Sequence, residues 1–275
     1  RDWSSDVCSS DLEVSMAVKY MPTLMITIAM LAMLWGRSML MTSAPSLTAP
    51  ALPGDTMIVR TRHAQRIIID TGNDAPQLLE ILGSDSSLWQ ARSADIVVLT
   101  QTGVAWQGAL AALGTHGVAQ LIVLPAAQKG AEAVCMQHVT PCVYVAVGDS
   151  WQHDDVTVHV VAPNVLWLVW AYGSMLVAHG ATTTQLNVLA PSLQCPRPLC
   201  LVSYGWRITP PWQLHKHLHP TGVLYADGQS QDPAARLSMA QRRPNREYLW
   251  HEQLVGTWSL TLDNPPHIRV SEVWP

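Results

Sequence analysis

The sequence predicts an α/β fold of the αββα sandwich class, preceded by one membrane-spanning helix. Three observations carry this. Ile67-Ile68-Ile69-Asp70 and Asp95-Ile96-Val97-Val98-Leu99-Thr100 are short β-branched runs bounded by polar or Gly residues, the pattern of strands covered on both faces. Between them, Pro76 to Leu88 carries a Leu/Ile helical pattern, which makes a β-α-β unit. Further on, strand and helix signals keep alternating to the end of the chain.

Composition sets the outer bounds. A chain of 275 residues, 48% apolar, can bury one large core or two modest ones. A formal charge of −4 gives no global attraction to nucleic acid. Residues 1–12, Arg1-Asp2-Trp3-Ser4-Ser5-Asp6-Val7-Cys8-Ser9-Ser10-Asp11-Leu12, read as a translated sequencing-library adapter and are set aside, Cys8 with them. The natural chain would then be the tail of a longer protein. Residues 20–41 follow, and Tyr20 to Gly36 is free of charge and rich in Met, Leu, Ile and Ala. Spanning a bilayer takes about 17–25 predominantly apolar residues, so this run reads as a transmembrane helix, with Arg37 snorkelling to the interface. A signal peptide cleaved near Ala44 is the competing reading. Residues 43–53, rich in Pro, Ala, Ser and Thr, read as a linker in which the prolines weaken or remove any strand. The globular domain is assigned to residues 54–275.

Within it, Thr56 to Thr61 and Gln65 to Asp70 form a hairpin. Gly108 to Leu113 reads as a helix ended by Gly114, Gln120 to Leu124 as a strand stopped by Pro125, and Ala126 to Val134 as a helix. Pro141 to Val147 and Val156 to Val161 are strands; Asn164 to Tyr172 and Ser174 to Ala178 form a hairpin across Gly173. Leu199 to Ser203 and Gly222 to Ala226 are strands around a helix starting near Pro210 and Pro211. Leu254 to Leu262 and Ile268 to Val273 close the domain as a hairpin.

The order Gly54-Asp55 before Thr56-Met57-Ile58-Val59-Arg60, then Ile68-Ile69-Asp70-Thr71-Gly72, a helix, and a strand ending in Leu99-Thr100 resembles metallo-β-lactamase-fold hydrolases. It is most similar to the C-terminal domain of ComEC-type DNA-uptake proteins, over roughly Leu52 to Trp274. In that family the third strand ends in Leu-Thr-His-x-His-x-Asp-His-x-Gly-Gly. Here those ligand positions fall on Gln101, Gly103, Ala105 and Trp106, and Gly108 is retained. The family's Thr-Gly-Asp reads His179-Gly180-Ala181, so its metal-bridging Asp is Ala181. Its His-His-Gly-Ser reads Ser203-Tyr204-Gly205-Trp206. A two-metal site needs several His and carboxylate ligands, which these residues cannot supply. The resemblance thus implies the fold, and the departures imply a domain without catalytic metal, leaning away from an enzyme. Gly72, Gly108, Gly180 and Gly205 persist, and Asp70, Thr100 and His179 are the candidates to line the old cleft.

The resemblance also implies partners: the bacterial cell membrane, single-stranded DNA and upstream channel helices of the same protein, with the domain on the extracytoplasmic side. Two alternatives stay open. One is an active zinc- or manganese-dependent hydrolase using atypical ligands, His179 with the His215-Lys216-His217-Leu218-His219 run. That run has strand-like metal spacing but falls in a helix pattern, where residues two apart do not share a face. The other is a membrane-tethered interaction domain unrelated to DNA. Cys135, Cys142, Cys195 and Cys200 permit two short-loop disulfides, free thiols or a zinc site. Arg236, Arg242, Arg243 and Arg246, near Tyr248 and Trp250, form a basic stretch able to meet phosphates and bases, or a solvated loop.

Overall fold

The computed structural model describes residues 24–33, 45–50, 52, 54–84, 94–103, 107–137, 140–195, 199–205, 211–226, 248–251, 258–261 and 267–270. Two units divide at Thr42 and Ser43. In the first, residues 24–33 are helical and exposed along their whole length, including Leu24, Met25, Ile26, Ile28, Met30, Leu31 and Met33. Among the described residues no helix is long and apolar enough to cross a membrane; the rest of the expected span lies outside them.

The second unit begins with β1 (Ser46–Ala49), then β2 (Met57–Arg60), β3 (Arg66–Ile69), α1 (Ala75–Ser84), β4 (Ala94–Leu99), α2 (Leu110–His116) and β5 (Val118–Val123). A 3-10 turn at Pro125–Ala127 leads into α3 (Gln128–Gln137), followed by β6 (Cys142–Tyr144), β7 (Ser150–His153), β8 (Val156–Ala162), β9 (Val165–Val169) and β10 (Gly173–Ala178). The chain continues through α4 (Thr183–Leu189), β11 (Leu199–Gly205), α5 (Trp212–Leu218), β12 (Gly222–Ala226), β13 (Tyr248–His251), β14 (Trp258–Thr261) and β15 (His267–Val270). These described strands form one sheet in the order β15-β14-β1-β2-β3-β4-β5-β6 and another in the order β13-β12-β11-β10-β9-β8-β7.

Side-chain alternation shows how the layers stack. Ile67 and Ile69 of β3, Ile96 and Val98 of β4, Met175 and Val177 of β10, and Leu201 of β11 share one core between the sheets. Their neighbours point the other way. Ile68, Val97 and Leu99 pack on α1 and α2, whereas Leu176, Ala178, Val202 and Tyr204 pack under α4 and α5. Helices therefore cover both outer faces, as the αββα expectation requires.

Several local expectations change. Residues 46–49, expected within a linker, form β1, an interior strand paired with both β14 and β2. Pro45 and Pro50 stand just outside the four paired residues, so neither removes a ladder donor from within the strand. Gly114 lies inside α2 and does not end it; Gly117, at φ 94°, takes that role because a side chain there would be strained. The capping box that starts α4 joins Thr182 to Gln185 reciprocally. Four of the expected cysteines pair as Cys135–Cys142 and Cys195–Cys200.

A turn-to-turn tether joins the first hairpin to the β7–β8 hairpin. Asp154 accepts from the His63 backbone N–H at 3.0 Å and contacts its Nδ1 at 2.6 Å, while Asp155 accepts from the Arg62 N–H at 3.2 Å. Burial pushes the Asp154 pKa up, but the bonds from His63 and Thr61 outweigh it and hold the carboxyl below its usual value. Asp154→Ala is expected to destabilise the domain by about 1 kcal/mol, read as a lowered urea midpoint at unchanged slope.

Candidate functional site

Strands β3 and β4 run parallel, as do β10 and β11. In parallel α/β sheets, functional groups collect beyond the carboxyl ends of the strands. Here Asp70 follows β3, Thr100 follows β4, His179 follows β10, and Ser203 lies near the end of β11. By alternation Thr100, His179 and Ser203 continue the rows that face the other sheet, whereas Asp70 has the parity of the outward-facing Ile68 and is turned inward by its left-handed backbone. The inter-sheet core is thus closed at this end by polar groups.

Asp70 is fully buried. Its Oδ1 accepts from the Thr100 backbone N–H at 2.8 Å, and its Oδ2 from the Thr100 hydroxyl at 2.6 Å. Its own N–H donates to the Val98 carbonyl, and its φ of 53° is left-handed, an uncommon conformation for a residue with a side chain. Gly72 follows at φ 63°, and its carbonyl accepts from Ala109 N–H. Burial pushes the Asp70 pKa up, partly offset by His179 and by the Thr100 bonds.

His179, also fully buried, bridges the two sheets. Its Nδ1 stands 3.5 Å from Asp70 Oδ2, and its Nε2 lies 3.0 Å from Ser203 Oγ. Nδ1 has no hydrogen-bond partner, so electrostatics favours the tautomer with Nδ1–H facing the carboxylate. Nε2 is then the acceptor and the Ser203 hydroxyl the donor. Backbone bonds fix the segment: Gln101 Nε2 donates to the His179 carbonyl at 3.1 Å, and Asn164 Nδ2 to the Gly180 carbonyl at 2.9 Å. Gly180, at φ 66°, has a backbone that favours glycine, and the Gln101 amide lies in the space a Cβ would take there. A Cβ on Gly205 would come within 2.5 Å of Asp55 Oδ2, so Asp55, itself buried, packs directly on this glycine.

The remaining positions divide cleanly. Gln101 caps the cleft, its own carbonyl accepting from Gln107 Nε2 at 2.8 Å. Gly103, at φ 122°, offers no side chain; Ala105 and Trp106 lie outside the described residues. Ala181 is buried in the outer layer. Tyr204 points away from the cluster, stacking on His215, whose Nε2 is 2.8 Å from the Tyr204 hydroxyl. His179 and His215 consequently occupy opposite faces of one sheet, and the atypical ligand set that joins them is not assembled. His215 and His217 lie on helix α5, not on a strand. Among the described residues, no three His, Cys, Asp or Glu side chains converge as a metal site. The donors present fit a metal poorly: Asp70 and His179 are engaged with Thr100 and Ser203, Gln101 with a carbonyl, and Gly103 and Ala181 have nothing to offer. The Ser203–His179 contact was not foreseen, since no local pattern links residues on different strands.

The fold has known counterparts. It is similar to the metallo-β-lactamase fold protein YhfI from Bacillus subtilis, with a TM-score of 0.55 and 8% identity over 76% of this chain and 96% of that one. It is similar also to CmlA, a diiron β-hydroxylase from Streptomyces venezuelae, with a TM-score of 0.52 and 11% identity. That match covers 80% of this chain and 54% of CmlA, so the chain spans about half of that protein. No family model and no curated protein sequence matches the chain. Identities this low show the fold alone.

Two outcomes follow from this geometry. Thr100→Val removes the hydroxyl donor to a buried carboxylate, and is expected to destabilise by about 1–3 kcal/mol in denaturant unfolding. Burial depresses the His215 pKa from 6.5 to about 4, so between those values the unfolded chain binds the extra proton. Stability should therefore hold above pH 6.5 and fall on acidification toward pH 4, by up to about 3 kcal/mol. His215→Gln should flatten that part of the stability–pH curve.

Proposed function

Starting from a metallo-β-lactamase fold, we propose that this chain is the hydrolase-like domain of a ComEC-like DNA-internalisation protein. It works without a bound catalytic metal, as a scaffold or DNA-contacting module. The observation that carries the metal-free reading is the buried polar cluster, in which Thr100 engages Asp70 and Ser203 engages His179 where the resemblance places ions. Placement on a bacterial membrane is supported by residues 24–33, a charge-free helix whose large apolar side chains are exposed throughout. Exposed apolar surface of that kind calls for an apolar environment. The extracytoplasmic side is supported by the two disulfides, which persist in oxidising compartments. Single-stranded DNA and channel helices encoded upstream are the partners that the resemblance suggests. The basic stretch from Arg236 to Arg246 lies outside the described residues and remains the sequence candidate for phosphate contact.

The test is elemental analysis of the purified full chain, with nuclease activity and single-stranded DNA binding measured on the same sample. The expected result is no stoichiometric zinc or manganese, no cleavage, and binding that weakens as salt rises. About one or two metals per chain together with cleavage would overturn the metal-free reading. Absence of DNA binding at low salt would overturn the DNA-contacting role while leaving the metal question answered separately.

A further inference from the structure

Asp70, His179 and Ser203 stand in the order carboxylate, imidazole, hydroxyl. The imidazole lies between the other two, 3.5 Å from the carboxylate through Nδ1 and 3.0 Å from the hydroxyl through Nε2. This is the connectivity by which a base activates a serine and a carboxylate holds the base in its productive tautomer, recognisable by geometry on unrelated folds. The longer carboxylate–imidazole distance is of the kind that tightens when a substrate is bound. We propose that these three residues form a metal-independent nucleophilic site, with Ser203 as nucleophile, for neutral carboxylic esters or similarly activated acyl groups.

The chemistry closes without a cofactor. Ser203 Oγ bonds to the acyl carbon as its proton passes to His179 Nε2, and Asp70 stabilises the imidazolium. The carbon–oxygen bond to the leaving group breaks, and His179 returns the proton to the departing alkoxide, releasing an alcohol. Water then attacks the acyl-serine, giving up a proton to His179. The bond to Ser203 Oγ breaks, the proton returns to Oγ, and a carboxylic acid leaves. Asp70 holds the imidazole in position through the cycle.

Two features define the substrate and the access. Asp70 lies within the relay and Asp55 packs on Gly205, two residues along β11 from Ser203, so the carboxyl groups near the site disfavour an anionic phosphodiester. The site is also closed: Ser203 is 1% exposed and His179 0%. The part-buried side chain lying against the His179–Gly180 segment is Gln101, held there by the bond to the His179 carbonyl. Rotation of this one flexible side chain would open the cleft beside His179, which makes Gln101 a gate.

The experiment is covalent labelling of the full chain with a small fluorophosphonate, located by peptide mass spectrometry, alongside hydrolysis of p-nitrophenyl acetate. Wild type, Gln101→Gly, Ser203→Ala, His179→Gln and Asp70→Asn are compared, each checked for folding by near-ultraviolet circular dichroism. Labelling is expected on Ser203, faster in Gln101→Gly, absent in Ser203→Ala and reduced by about 100-fold or more in His179→Gln. Asp70→Asn should slow labelling without moving it to another residue. If Ser203 is unlabelled in both wild type and folded Gln101→Gly, or if His179→Gln labels at the wild-type rate, the proposal is overturned. Its failure would leave the DNA-contacting role untouched, because the two are read by different measurements.

Discussion

A carboxylate with no solvent exposure sits where two sheets meet, and the rest of the cleft is arranged around it. The end of a parallel strand leaves backbone N–H groups that need acceptors inside a protein core. Asp70 supplies one to Thr100 and takes the Thr100 hydroxyl as well, so a single side chain ties the ends of β3 and β4 together. Burying its charge is costly unless donors surround it. The third group placed to meet that charge is an imidazole from the other sheet, and His179 is thereby drawn into the gap between the layers. The left-handed backbone at Asp70 and Gly72 is the local strain that aims the carboxylate inward.

Strand alternation then decides which polar residues can meet. Ser203 and Tyr204 are adjacent on β11, yet one joins His179 between the sheets and the other joins His215 beneath α5. A period of two residues separates His179 and His215 into independent sites, each with its own hydroxyl partner. Rows of Val, Ile and Leu on β3, β4, β10 and β11 hold this register, since a slip of one residue would exchange the two faces entirely.

Much of the architecture was legible in the sequence because it rests on local signals. The triple-Ile run, the Asp70-Thr71-Gly72 turn and the β-α-β spacing all survive in the structure, with boundaries moved by a few residues. β1 was hidden because its flanking prolines sit beside the strand, and composition alone cannot separate a proline within a ladder from one at its margin. The start of α4 was readable in Thr182 and Gln185, whose spacing matches a capping box, yet the polar Thr-rich stretch masked it. The Asp70–His179–Ser203 chain was not readable. Its members come from both halves of the domain, and only the stacking of the sheets brings them together. Sequence pattern located each of the three residues near the cleft and gave no means of joining them.

The position of this cluster has a consequence for how the fold supports chemistry. A metal centre at these strand ends would draw ligands from both sheets and so cross-link them. The chain of polar contacts from Thr100 through Asp70 and His179 to Ser203 makes the same cross-connection with ordinary side chains. Joining the sheets at these strand ends therefore requires only buried polar side chains that meet one another. The residues that satisfy that structural requirement are an acid, a base and a hydroxyl in sequence, which is also what nucleophilic catalysis needs. The placement belongs to the fold, and the chemistry belongs to whichever side chains occupy it.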